Sequence, residues 1–484
     1  MILTAQATLL TLLAFARGGA TENNVLSDSP NHIDHQSGLS RGSANEKSVG
    51  GIERTHAFRE GTSESLRHAD IVKGLRAPSS QTHDLVFSIR LRNMDELERI
   101  LYDVSDPSST NYGNHLTRED IVDLTSNVQS CKEVISYLEI AGASILSEDL
   151  AGGFISARGP VSVWESMLDT EFYSYSLKSG TNGSEFKNSN TATSFLRTER
   201  YSVPHSLDAH IAWVLDTTDV PSSAKREMLR GRMAADKLTR KSRFSAASLV
   251  EPGYITPQKL NNAYNITDNS GHPLAIQAAL QGFGQSVSTE DLETFQRTLG
   301  LPIYPIAKFV GNSEYVRTAA YCRDIGFEIC AEANLDTQYM IGMAATTTWH
   351  VYNDEGDFSK WLLKWVDVTP RPLVMSMSYN YLESAVTSSE KDLFDRAAMM
   401  LGTLGVTIVI ASGDDGAAMQ YARSDPSQCA YRASFPNTSP YVISVGATQV
   451  WILSSDILSH GSARHSRDIK SPPLIQTGCG QRLT

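Results

Sequence analysis

The carboxylates of Glu328, Glu332 and Asp336 recur every four residues within Phe327–Ala344, a spacing that lines them along one face of a helix. Like charges at this spacing oppose one another by roughly 0.2–0.5 kcal/mol per pair, and in a cleft one of them keeps its proton. A carboxyl that holds a proton beside one that does not is an acid–base pair. On an open surface the same row is an ordinary solvated acidic face. Another carboxyl, Asp414, closely follows the apolar run Val406–Ala411. If that run is a buried parallel strand, Asp414 lies at its carboxyl end, where such sheets place their ligands. Protonated, it can donate a hydrogen bond to a developing oxyanion. An Asx-turn or cap closing Ser412–Gly416 is the structural alternative.

The elements that must hold these groups follow from periodicity. After Tyr254, apolar strands are expected at Ala275–Leu280, Ile306–Val310, Trp349–Tyr352, Leu373–Met377 and Val406–Ala411. Amphipathic helices separate them: Glu290–Leu299 behind Ser288, and Thr387–Leu404 opened by the capping box Thr387-Ser-Ser-Glu390. This alternation predicts an α/β domain, a parallel sheet covered by helices. Upstream, alternation over Leu85–Leu91 predicts a strand, and Leu97, Ile100, Leu101 and Val104 predict a helix broken at Asp106-Pro107. Thr117 reads as a helix N-cap, and Val134 with Leu138 marks a helix stopped near Gly142. Strands at 144–146 and 153–157, a helix at 163–168 and a strand at 172–177 complete an α+β domain ending near Asp216.

With 484 residues, 41% of them hydrophobic, the chain can bury more than one core. Its formal charge of −12 argues against general nucleic-acid affinity. Residues 1–16, apolar from Ile2 and ending Ala14-Phe15-Ala16, read as a secretory signal peptide although the n-region lacks Lys and Arg. The stretch is too short for a confident membrane span. Residues 17–83 are polar, without an apolar period, and read as a flexible leader. Residues 217–252 read as a basic linker, either a solvated helix or a proteolytically sensitive junction. Sequons at Asn182, Asn265 and Asn437 fit the secretory route. The five cysteines are too few and scattered for a disulfide scaffold or zinc ribbon. Cys322 and Cys330 can close a small loop in an oxidising compartment, and buried thiols fit equally.

Three segments carry a specific resemblance: Cys330-Ala-Glu-Ala-Asn-Leu-Asp-Thr-Gln-Tyr339, the strand and turn Val406–Gly416, and Ser434-Phe-Pro-Asn-Thr-Ser-Pro-Tyr-Val-Ile-Ser-Val-Gly-Ala-Thr448. In order and spacing they resemble the sedolisin serine-carboxyl peptidases, especially the tripeptidyl-peptidases. Val104-Ser-Asp-Pro-Ser-Ser-Thr-Asn-Tyr-Gly-Asn-His-Leu-Thr117 resembles the family's activation prodomain, so the likeness runs from about Leu85 to Gln449. The resemblance implies a zymogen, extracellular or in a lysosome- or vacuole-like compartment, that acts on peptides or proteins at acidic pH. It implies a subtilisin-like catalytic domain over 253–451 behind an α+β, ferredoxin-like prodomain over 84–216 that is itself a partner. Carried over by position, Glu332 is the general base, Asp336 its orienting partner and Asp414 the oxyanion-hole acid. Ser378-Tyr379-Asn380 matches the family's substrate-lining Ser-Tyr-Gly strand except at Asn380, and Asp415 departs from the usual Ser or Asn.

The family's nucleophile comes from a Gly-Thr-Ser motif well downstream, and its calcium ligands from the segment beyond. Residues 452–484 carry neither pattern, and Ser462 of Gly461-Ser462-Ala463 lies too early and lacks the helix behind it. No nucleophile and no metal ligand is therefore assigned. Removal of a serine nucleophile costs about 10⁶ in turnover, so the chain as written is expected to be almost inactive, a truncated or pseudo-peptidase. The alternative from another class is a prodomain that acts as an inhibitor or chaperone. A nucleotide site at Gly282-Phe-Gly284 lacks a completed glycine fingerprint.

Overall fold

A computed structural model describes residues 56–62, 66–67, 71–149, 153–177, 194–221, 255–267, 271–272, 275–325, 329–353, 357–414, 416 and 430–446. The signal segment, nearly all of the basic linker and the 452–484 tail, with Ser462, lie outside these residues.

The amino-terminal unit begins with β1 (His56–Gly61) and β2 (Ile71–Arg76), both inside the stretch expected to be a flexible leader. That expectation is corrected. β1 pairs antiparallel with β8 (Arg200–Pro204), and β2 with β6 (Phe172–Leu177). Backbone pairing and polar contacts hold them, which an apolar period cannot signal. Lys73 lies 2.9 Å from Glu199 and its ammonium 3.5 Å above the Tyr173 ring.

β3 (Thr82–Ile89) follows, with Leu85, Phe87 and Ile89 wholly buried on one face as alternation requires. α1 (Met94–Ser105) buries Leu97, Leu101 and Val104. α2 (Arg118–Thr125) opens on a capping box in which Asp120, not Glu or Gln, returns to Thr117, and α3 (Val128–Ile140) ends before Gly142 at φ 91°. β4 (Ser144–Asp149), β5 (Phe154–Pro160), α4 (Val161–Leu168), β7 (Ser194–Thr198) and β9 (Ile211–Leu215) complete the unit. Its main sheet runs β4-β5-β3-β9, all antiparallel. Apart from β6, β7 and β8, which lie between α4 and β9 in the chain, strands and helices of this sheet follow one another in βαββαβ order.

The second unit is α/β. From α5 (Pro257–Tyr264) the chain enters β10 (Ile276–Gln281), then β11 (Val287–Ser288), α6 (Thr289–Thr298), β12 (Lys308–Val310) and β13 (Val316–Arg317). α7 (Ala319–Ile325) and α8 (Ala331–Met343) precede β14 (Thr347–Tyr352). α9 (Phe358–Lys364), β15 (Val374–Met377), β16 (Tyr381–Leu382), α10 (Ser388–Thr403), β17 (Thr407–Ala411), β18 (Ser434–Phe435) and β19 (Ile443–Val445) finish it. The central sheet has six parallel strands in the order β12-β14-β10-β15-β17-β19. Crossover helices cover it, as the strand–helix alternation predicts.

The two units share a core: Leu97, Leu101 and Ile121 pack with Phe394, Ala397 and Leu401. Gly402 makes room for this seam, since a Cβ there would meet Leu101 Cδ1 at 2.5 Å. Polar ties reinforce it. Glu60 on β1 accepts from the backbone N–H (3.1 Å) and hydroxyl (3.0 Å) of Ser389 at the amino end of α10, and from Thr218 (3.1 Å). Trp213 Nε1 donates to Asp392 (2.9 Å), Arg396 to the Ile89 carbonyl (3.2 Å), and Arg118 pairs with Asp367.

Candidate active site

Helix α8 starts at Ala331, four residues later than the expected Phe327, and Glu328 lies outside the described residues. Within the helix lie Glu332 in the first turn and Asp336 one turn on, along the same face. Cys330, the N-cap of α8, is disulfide-bonded to Cys322, which anchors the chain where this helix begins. Cys131 keeps a buried thiol.

Asp336 is 3% exposed, and its carboxylate is held by donors on both oxygens. Gln281, the last residue of β10, donates through Nε2 to Oδ2 (2.7 Å), and the Ser378 hydroxyl, just past β15, donates to Oδ1 (2.8 Å). Tyr379 donates its phenol to Gln281 Oε1 (2.6 Å), so the Gln281 amide cannot flip without losing both bonds. The Tyr379 ring packs on Phe283 with centroids 5.1 Å apart. All of these groups lie at the carboxyl ends of the strands, the edge where parallel sheets bind ligands.

Glu332 is partly buried and hydrogen-bonded to Asp336. Burial pushes its carboxyl far above the ordinary range, and the charges of Asp336 and Asp414 push further in the same direction. Burial also raises Asp336, but bonds from Gln281, Ser378 and Glu332 hold it back. The two therefore titrate as a coupled pair that shares one proton across neutral pH, Glu332 its main holder. Asp414 is exposed just beyond β17, on the turn opened by Gly413 at φ 95°, and close enough for its charge to act on Glu332. Asp415 lies outside the described residues.

Of the expected substrate-lining residues, Ser378 and Tyr379 turn inward to Asp336 and Gln281, and Asn380 Nδ2 donates to the Ala411 carbonyl (3.2 Å). Sequence reading missed Gln281. Its signal is a polar residue that ends the strand Ile276–Gln281 at the binding edge, after the apolar run Ala278–Leu280. His350 is buried on β14 and pushed by burial down to about 4, so its imidazole stays neutral through the mildly acidic range. Asn265 is exposed at the carboxyl end of α5, whereas the Asn437 amide is bonded within the fold and Asn182 lies outside the described residues. Among the described residues no group of three or more His, Cys, Asp or Glu is arranged to hold a metal ion.

Residues 69–220 match the Pro-kumamolisin activation domain. Tripeptidyl-peptidase 1 of Mus musculus is 27% identical over 426 residues, covering 84% of this chain and 69% of the relative. The Homo sapiens protein of the same name is 26% identical over 419 residues (83% and 68%). Tripeptidyl-peptidase SED2 of Arthroderma otae is 25% identical over 395 residues (75% and 63%). Pseudomonas sedolisin, a serine-carboxyl proteinase solved with two molecules of pseudo-iodotyrostatin, aligns at 18% identity and TM-score 0.32, covering 41% of this chain and 55% of that one. The chain spans about two thirds of the length of the mammalian relatives.

Proposed function

We propose that this chain, a sedolisin-family protein close to the tripeptidyl-peptidases, is built as the zymogen of a serine-carboxyl peptidase that acts on peptides at acidic pH. The observation that carries the reading is the Glu332–Asp336 pair at the carboxyl edge of a parallel sheet, with Asp336 buried and bonded by Gln281 and Ser378 and Asp414 near enough for its charge to act on Glu332. In this reading Glu332 takes the proton of the attacking hydroxyl while the shared proton passes to Asp336. A carboxyl pair can do this at pH values where a histidine base is already protonated. Protonated Asp414 then donates to the oxyanion as the carbonyl carbon becomes tetrahedral. Glu332 returns its proton to the departing amine.

The attacking serine is assigned to no described residue. Ser378 is the hydroxyl held against the pair, and its proton is directed to Asp336. This favours a second reading, in which the 484-residue chain turns over little or nothing and its prodomain serves as an inhibitor or chaperone. The Cys322–Cys330 disulfide supports passage through an oxidising, secretory compartment. No described helix is long and apolar enough to cross a membrane.

Unblocked tripeptide reporters, assayed across the acidic range before and after prodomain removal, separate the readings. Hydrolysis that vanishes in Glu332→Gln and survives in Ser378→Ala supports the peptidase. Loss in both variants, together with covalent labelling of Ser378 by an acylating substrate, makes Ser378 the nucleophile. Full turnover in Glu332→Gln removes the carboxyl base. No hydrolysis by the wild-type chain, together with inhibition of an active peptidase of the family, establishes the second reading.

A further inference from the structure

The carbonyl of Ala411 lies where the sheet runs out. The ladder from β15 to β17 ends at the Met377–Ile410 pair, one residue short of it. Two side-chain amides converge on this oxygen: Asn437 Nδ2 at 2.9 Å and Asn380 Nδ2 at 3.2 Å. Antiparallel pairing of β16 with β18, Tyr381 opposite Phe435 and Leu382 opposite Ser434, places the two asparagines side by side. The Asn437 amide is also fixed at its other ends. Its Nδ2 donates to Ser444 Oγ (3.0 Å), and its Oδ1 accepts from Ser434 Oγ (2.9 Å). The next residue along, Ser412, donates its N–H to the Val445 carbonyl (2.9 Å). Gly413 then turns the chain at φ 95°, with the position a Cβ would take 3.6 Å from Asn380 Nδ2.

We propose that Asn437 and Asn380 form a two-amide clamp on the Ala411 carbonyl that sets the Ser412–Asp414 turn, which makes Asn437 a positioning residue for Asp414 and its sequon a structural motif, not a glycan acceptor. The role toward Asp414 rests on the peptidase reading above; the clamp does not. Both N–H groups of the Asn437 amide are in use, one on Ala411 O and one on Ser444 Oγ. A glycan on Nδ2 leaves a single N–H, so a glycosylated Asn437 cannot hold both Ala411 and Ser444.

The test uses the full chain secreted from a glycosylating host. Glycopeptide mass spectrometry should find Asn437 at least tenfold less occupied than the exposed Asn265; occupancy equal to that of Asn265 overturns the proposal. Hydrogen exchange should rise about tenfold or more across residues 411–416 in Asn437→Ala, with the β10 and α8 peptides unchanged. Unchanged exchange at 411–416 overturns it. A third readout separates positioning from simple support. The Asp414 charge helps to raise Glu332, so releasing the turn should flatten the pH dependence of thermal stability, whereas a merely structural loss lowers Tm equally at every pH. A uniform drop removes the positioning role. Faster exchange at 411–416 with tripeptide hydrolysis unaltered upholds the clamp and overturns the oxyanion role of Asp414 instead.

Discussion

At the scale of single residues, the proposed chemistry depends on how the Glu332–Asp336 pair holds a proton. Glutamine at 332 keeps the shape and removes the proton acceptor, so Glu332→Gln should lower hydrolysis roughly 10²–10⁴-fold, measured as kcat on tripeptide reporters. Gln281 tunes the pair from behind. Its amide donates to Asp336 and holds that carboxyl down against the effect of burial. Gln281→Leu removes the donor and leaves the Tyr379 phenol without its acceptor. The expected result is a pH–rate profile displaced to higher pH, with stability lower by about 1–3 kcal/mol for the unsatisfied buried group. An unshifted profile would show that Gln281 only fills space. The residue types of the carboxyls were legible in the sequence. Gln281 was not, because its importance comes from lying across the sheet from α8, 55 residues away in the chain.

At the scale of elements, helix α10 is where the two units meet, and its two ends behave differently. The amino end carries its own capping box, Thr387 with Glu390, and receives Glu60 from β1 of the amino-terminal unit. Thr387→Ala should cost about 1 kcal/mol, read by denaturant unfolding. At the carboxyl end, Gly402 leaves the space that Leu101 fills. Gly402→Ala should cost about 1–3 kcal/mol by forcing α1 away, and Leu101→Ala in the same chain should recover part of that loss. Additive losses in this double-mutant cycle would show that the seam yields elsewhere. The α10 box was visible as Thr-Ser-Ser-Glu because its partners are three residues apart. The partnership with Glu60 was not, since β1 is short, polar and 329 residues distant.

For the whole molecule, the balance of titrating groups sets a pH preference. Glu332, Asp336, Glu60 and Asp395 are all raised above the ordinary carboxyl value, by burial before any other cause, Asp395 to about 6. The folded state holds protons there that the unfolded chain has already released, so stability falls as pH rises from about 4 through the folded values. Asp216 acts in the opposite sense: burial alone would raise it, but Lys360 and Arg197 outweigh burial and hold it low. Its contribution is lost as pH falls below about 4. Tm should therefore be highest in the mildly acidic range and decline from about pH 5 to about pH 8, and Glu332→Gln should reduce that decline. A Tm that rises over this interval would contradict the protonated state assigned to the pair.

The sequence by itself determined the α/β character of residues 255–446, the α+β character of the unit before it, the caps, and the identity of Glu332, Asp336 and Asp414 as candidates. These are local properties, carried by apolar period and by residues a few positions apart. Tertiary structure alone decided that Asp336 is buried beside Glu332, because that requires Gln281 at the end of β10 and Ser378 just past β15 to bond it. It decided that β1 and β2 are strands, because their pairing partners β8 and β6 lie about a hundred residues or more further on. It also turned Asn380 and Asn437, a substrate-lining candidate and a sequon, into two amides on one carbonyl. Convergence of distant groups is fixed by how the strands stack, which no single segment of the chain encodes.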